Sequence, residues 1–576
     1  MQIKKSLNLK LTVVAVLLHL LCFSQPIQRY AVVISEVMAD PSPAVALPNT
    51  EYIELRNTTN QPINLNGWKL SDGNSTATIN INFILQPDSS VAICTNSAAA
   101  AFAVLGTTIG VSNFPSLDND GDIIYLRSPQ GSTIHAVAYN NAWYNNAVKS
   151  DGGWSLEMID TKTPCAGAAN WKPSEDSKGG TPGKKNSVDD INKDNAPPAL
   201  LRAFATDSVS ITLVFNESLD SAKAVVASNY QISDGIIINN NIVALPPLYD
   251  RVVLKLNTAI VRNKTYKVTV NGVTDCAGNT IGIYNTAQAG WATVADSLDV
   301  VINELLFNPK PDGVDYLELY NRSAKIINLK DLYIGNRSSS GIVSSIKQIV
   351  AEDRLLFPQQ YVVLTEDAAV LQQQYLVKDA AAVIVLPSMP SYPDDKGVAI
   401  LLNAQGKMID ELRYDEKWHF KLIDNNEGVA LERINYNSPT NIADNWHSAA
   451  TSAGYGTPGY QNSQYTAAAI ATGSISITPA VFSPDNDGFD DNAFINYQFD
   501  NPGFVCNITI YNANGRPVKF VTRNALCGLK GSYRWDGLDE NNQKLPIGTY
   551  VVLTEVFALN GKTQKFKNSI TLARRF

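Results

Sequence analysis

Glu36 closes the strand-like phrase VVISE and Glu54 stands in the middle of EYIELRN, and the pair returns as Glu304 and Glu318 in VVINE and DYLELYN. Two carboxylates on neighbouring strands are the equipment of glycoside hydrolysis, one acting as acid and the other as base or nucleophile. A simpler account places alternate strand residues in solvent, or has one Glu accept backbone hydrogen bonds near a sandwich end. Duplication of the pair within matching phrases is what a fold constraint leaves behind, so no catalytic residue is assigned. A second acid group, Asp485, Asp487, Asp490 and Asp491, shares a loop with Gly488, where oxygen ligands gather around calcium. With Asp485 at the first position of an EF-hand loop, the twelfth is Asn496, where a bidentate Glu is needed. Metal-free Asx turns are therefore the favoured reading and calcium the alternative. Asp118, Asp120 and Asp122 raise the same question more weakly, because the second copy keeps only Asp394 and Asp395.

Other templates for chemistry are missing from the chain. Outside the N-terminal segment the histidines are His135, His419 and His447, and there is no GxSxG, HExxH, P-loop or CxxC. No enzyme and no cofactor beyond the calcium option is expected. Trp143, Tyr144, Trp418 and His419 follow the matched tyrosines Tyr139 and Tyr414; they are read either as a sugar-stacking platform or as core.

The elements that position these residues are strands. Leu117–Trp171 matches Tyr392–Trp446 without a gap at an offset of 275, pairing Glu157 with Glu432 and Trp143 with Trp418. Both copies then close on Gly-Thr-Pro-Gly, at 180–183 and 456–459. Short alternating runs separated by Asp/Asn/Gly turns predict β-sandwiches. Charged residues make up only 17% of the 576 residues, which fits an all-β extracellular protein of several domains.

Lys4, Lys5 and Lys10 precede an apolar run from Leu11 to Phe23, the pattern of a signal peptide cleaved near Ser24. Leu21 before Cys22 makes lipidation a minority reading. Without residues 1–24 the chain carries 43 basic and 54 acidic residues, a net charge of −11, which repels nucleic acid. No other apolar stretch reaches membrane-spanning length. Five cysteines remain; Cys506 with Cys527 is the first choice of disulfide and Cys94 with Cys165 the second.

VVISEVMADP, EYIELRN, INLNGWKLSD, GDIIYLRSPQG, GWSLEMID and NWKPS resemble the lamin tail domain, and VVINELLFNP through YGTPGYQN resembles a second copy, with Leu332 where the first has Trp68. The resemblance implies an immunoglobulin-like sandwich found in secreted bacterial proteins. LLRAFATDSVSITLVF through TDCAGN resembles the S-layer type Ig-like domain, which implies a spacer. SPDNDGFDD, IYNANGRPV, WDGLD and LPIGTY resemble the gliding-motility-associated and flagellar-hook-like C-terminal domains. The first of these implies a cargo signal for type IX secretion, with the secretion machinery as partner. The last residues, ITLARRF, are read as an edge strand open to such a partner.

The expected plan is all-β, tandem immunoglobulin-like β-sandwiches: a signal peptide at 1–24, lamin tail-like sandwiches at 25–188 and 298–463, an S-layer type domain at 196–290, and a sorting or hook-like domain at 474–576. The expected function is a non-enzymatic, secreted or cell-surface protein for adhesion or scaffolding, on the extracellular side of an outer membrane, with a surface polysaccharide or protein as ligand. The alternative is a secreted hydrolase or carbohydrate-binding accessory protein.

Overall fold

Valine-, isoleucine- and leucine-rich runs broken by glycine and asparagine turns fold here as strands packed face to face. The computed structural model describes residues 27–421, 423, 425–466, 473–499, 501–558 and 563–574. The expected signal peptide, much of the linker after Gln464 and the last two residues lie outside them. The described part is all-β, with tandem immunoglobulin-like sandwiches, and divides into two compact units: residues up to 260 with 266–289, and 261–265 with 290 onward.

The first unit opens with a six-stranded sheet ordered Trp171–Pro173, Leu156–Met158, Val32–Met38, Tyr52–Asn57, Ser90–Thr95 and Thr108–Val111. It faces a four-stranded sheet of Thr133–Asn140, Gly121–Arg127, Lys69–Ser71 and Thr76–Thr78. Trp68 is fully buried between them, with Ile34, Leu55 and Leu126 in the same core. Seven further strands follow in sheets of four and three, beginning at Leu200–Asp207 and ending at Thr286–Ala289.

In the second unit the six-stranded order recurs as Trp446–Ser448, Leu431–Arg433, Val300–Leu306, Tyr316–Asn321, Tyr361–Thr365 and Val383–Val385. Leu332 is as buried as Trp68, so leucine fills the tryptophan's place in this core. Residues 474–572 form sheets of three and five strands around Trp535. The turn Asn514-Gly515 joins Phe504–Tyr511 to Pro517–Cys527, with Gly515 at φ 73°, a conformation that suits glycine.

Two expectations are corrected. The strand Thr563–Leu572 is not an open edge at its end, because Val481 and Phe482 pair in parallel with Thr571 and Leu572. The disulfide joins Cys165 to Cys276. Cys94, Cys506 and Cys527 are free and buried. Cys506 opposes Ala525 and Cys527 opposes Phe504, so the favoured pair is two residues out of register on adjacent strands.

Candidate functional site

The repeated glutamates form one row. A bulge after Ile34 lets Glu36 stand opposite both Glu54 and Glu157, so three carboxyls sit side by side across three strands. Glu304, Glu318 and Glu432 repeat the row in the second copy. All six are fully buried, and so are the six positions of Tyr52–Asn57, which overturns the solvent-facing alternation expected for EYIELRN.

The Gly-Thr-Pro-Gly segment covers them. Thr181 donates its backbone N–H to Glu36 at 2.7 Å, Lys184 to Glu54 at 3.1 Å and Val188 to Glu157 at 3.1 Å. Thr457, Gly459 and Gln464 do the same for Glu304, Glu318 and Glu432 at 2.8, 2.6 and 2.9 Å. Hydroxyls complete the set: Tyr52 and Ser155 donate to Glu36 at 2.6 Å, and Tyr316 to Glu304 at 2.7 Å. The glycine is needed for close approach, since a Cβ on Gly456 would lie 2.6 Å from the Tyr316 hydroxyl. A strap is thus latched to the sheet by a carboxyl row, and no substrate reaches these acids. Glu157 and Glu432 were visible in the sequence as a matched pair, but only the strand register shows that they belong to the row.

Loss of solvent, then repulsion from the neighbouring carboxyl, pushes Glu36 up to about 7 and Glu304 up to about 8. Glu54 and Glu318 are raised well above the usual range for the same reasons. An acid raised in the folded state stabilises the fold fully below its unfolded value, and that contribution is lost as pH rises through the folded value. Burial holds His135 and His419 down to about 3 and about 4, so their opposing effect begins only below pH ~6.5. Urea unfolding is therefore expected to show each sandwich about 2 kcal/mol more stable at pH 6.5 than at pH 8, with the difference shrinking in Glu304→Gln. Equal midpoints at the two pH values would contradict the latch.

The two copies build the adjoining position with different chemistry. In the first, His135 Nδ1 accepts the Ile34 N–H at 2.9 Å. In the second, Asp410 accepts the Ile302 N–H at 2.9 Å and pairs with buried Arg433 at 3.1 Å.

The sequence-predicted aromatics do not form a platform. Tyr144 is buried and donates to the Trp154 carbonyl at 2.7 Å, and Trp143 lies 6.0 Å from core Trp171. His419 is buried on Ser448, and Trp418 packs on the second core.

The aspartate loop does converge in part. Asp485, Asp487 and Asp491 bring one oxygen each within 4.8 Å of the others. Asp491 accepts the N–H groups of Asp485, Asn486 and Gly488, while Asp485 and Asp487 accept those two residues on, at Asp487 and Phe489. These are Asx-turn contacts, which hold the loop with or without a cation. Asp490 instead takes a left-handed φ of 49° and offers its carbonyl to Ser483. The other such triad among the described residues is Asp194, Glu217 and Asp275, not anticipated from the sequence. Burial, then Asp194 and Asp275, pushes Glu217 up to about 7.

Two clefts were also missed. In the first unit, a cavity of about 530 Å³ lies beside Cys165, Asp194 and Glu217. In the second, a cavity of about 920 Å³ is lined by residues that include Gln374, Lys378, Tyr460, Tyr465, Gln498 and Lys530. Clefts of this kind form between elements distant in sequence.

Among solved structures, the chain aligns with the S-layer protein SbsC at 13% identity over 66% of this chain and 54% of that one, with a TM-score of 0.16. It aligns with latent PorU of Porphyromonas gingivalis at 9% identity over 70% and 35%, TM-score 0.15. SGBP-B of Bacteroides ovatus, in complex with a mixed-linkage heptasaccharide, aligns at 9% identity over 67% and 68%, TM-score 0.13. The chain spans about half the length of the S-layer chains it matches. No curated protein matches it. The sheet order shared by the two copies agrees with the family comparison: residues 25–141 and 293–416 each match the Lamin Tail Domain family.

Proposed function

We propose that this is a non-enzymatic protein of the cell surface or medium, built for adhesion or scaffolding and exported through its last domain. The observation that carries the reading is the disulfide between Cys165 and Cys276, 111 residues apart, which ties the first sandwich to the module after it. Such a crosslink suits an oxidising compartment and a structure that bears load. Arg29 reinforces it, donating to the Leu219 carbonyl at 2.7 Å and the Ser218 hydroxyl at 2.5 Å, with its guanidinium 4.1 Å from the centre of the Tyr249 ring. The buried glutamate rows remove the strongest candidate for hydrolysis.

The export role of residues 474–576 is tested by fractionating cells that express the full chain beside one ending at Thr466, with protease accessibility separating surface from periplasm. The full chain is expected at the surface or in the medium and the shortened one in the periplasm. In the second unit Phe420 packs with Val505 and Leu526, so truncation uncovers apolar surface. A reporter fused to 474–576 therefore provides the second arm and is expected to reach the surface. Retention of that reporter, with both chains in one place, would overturn the export role.

A further inference from the structure

The cleft of the second unit between residues 374–378, 452–466 and 498–531 has an unusual charge for this protein. The chain is acidic overall, at −8, yet the charged residues lining this cavity of about 920 Å³ are two lysines, Lys378 and Lys530, with no acid. Tyr460 and Tyr465 line it as well, and both rings are held in place. Lys378 Nζ sits 3.9 Å from the centre of the Tyr460 ring, and Tyr465 stacks on Tyr436 at 4.2 Å. Gln461 and Gln498, both exposed, also line the cleft.

Each of these groups has a ligand preference. Ring faces stack on the apolar faces of sugars or on other rings. A primary amide both donates and accepts, which matches hydroxyl groups, themselves donors and acceptors. Lysine ammonium groups pair with carboxylates or sulfates. We propose that this cleft binds an acidic polysaccharide, a chain of uronate residues whose carboxylates meet Lys378 and Lys530 while its hydroxyls meet the glutamine amides. An acidic peptide would also meet the lysines and match the amides through its backbone, but a run of acidic side chains offers the Tyr460 and Tyr465 rings no apolar face to stack on, which a sugar ring does. The inference deepens the adhesion reading by naming a ligand class and a place. It requires neither export nor the sorting role, so a failed fractionation leaves it standing and a failed binding experiment leaves export standing.

The test is calorimetric titration of the chain from Gln25 with tetragalacturonate, with cellotetraose and hexaglutamate in parallel. Tetragalacturonate is expected to bind, more weakly as salt is added. Two exposed charge pairs lost together should lower its affinity about 10-fold in Lys378→Ala/Lys530→Ala. Gln461→Ala is expected to weaken it further, and Trp143→Ala to leave it unchanged. Lys378 and Lys530 are both exposed, so an unchanged urea midpoint will show that the double variant is folded. The proposal is overturned if tetragalacturonate does not bind, if the double variant binds it equally well, or if hexaglutamate binds more tightly.

Discussion

Replacing Arg433 by Met is expected to destabilise the second sandwich by about 3–5 kcal/mol, and adding Asp410→His in the same chain to restore about 2 kcal/mol of that loss. Arg433 is buried, donating to the Ile302 carbonyl at 2.8 Å and to Asp410 at 3.1 Å, and also to Thr440. Without it, Asp410 stays buried with its charge held only by the Ile302 and Glu411 N–H groups and the Thr440 hydroxyl. The first copy shows an uncharged way to build the same place. At an offset of 275 the residues are His135 and Met158, and burial holds His135 neutral so that it accepts the Ile34 N–H. The double variant transplants that solution, and its recovery is incomplete because Thr440 and the Ser438 carbonyl lose a donor. The measurement is the urea midpoint of the second unit for the two single variants and the double. A double variant no more stable than Arg433→Met, or a single loss below about 1 kcal/mol, would show that the ion pair and the histidine are not interchangeable.

That exchange also marks what a sequence can and cannot disclose. The gapless match puts His135 opposite Asp410 and Met158 opposite Arg433, but only the structure shows that His135 and Asp410 accept the equivalent backbone N–H groups of Ile34 and Ile302. The strands, the paired sandwiches and the large core residues were legible because period-two runs and turn residues act locally. The glutamate row was half legible. Glu36 and Glu54 sat in repeated phrases, whereas their burial depends on a strap arriving from 145 residues away in the case of Glu36 and Thr181. Alternation in EYIELRN marks two faces of a strand; it does not say that the polar face stays dry. The cysteine pairing failed for the same reason, since closeness in sequence ranked Cys506 with Cys527 while Cys165 found its partner in the next module.

Removing that bond, by Cys165→Ser with Cys276→Ser, is expected to lower the stability of the first unit by about 2–5 kcal/mol. The bond closes a loop of 111 residues, long enough for the unfolded chain to gain considerable freedom when it is released. The folded unit loses less, because Arg29 keeps its bonds to Leu219 and Ser218, and Asn279 keeps its 3.1 Å donation to the Asp194 carbonyl. Because the crosslink joins two modules within one unit, its effect is best localised by hydrogen exchange of individual strands. Strands of the first unit should lose protection, most at Leu200–Asp207 and Leu156–Met158, whereas the second unit, whose described cysteines are free, should not change. Reductant should reproduce the result in the unaltered chain and do nothing to the double variant. Protection that ignores both treatments would mean that the two modules hold together through Arg29 and its neighbours alone. The second copy shows why the crosslink is particular to the first: at the position of Cys165 it carries Thr440, whose hydroxyl is turned inward to Asp410 at 2.5 Å and so serves its own sandwich.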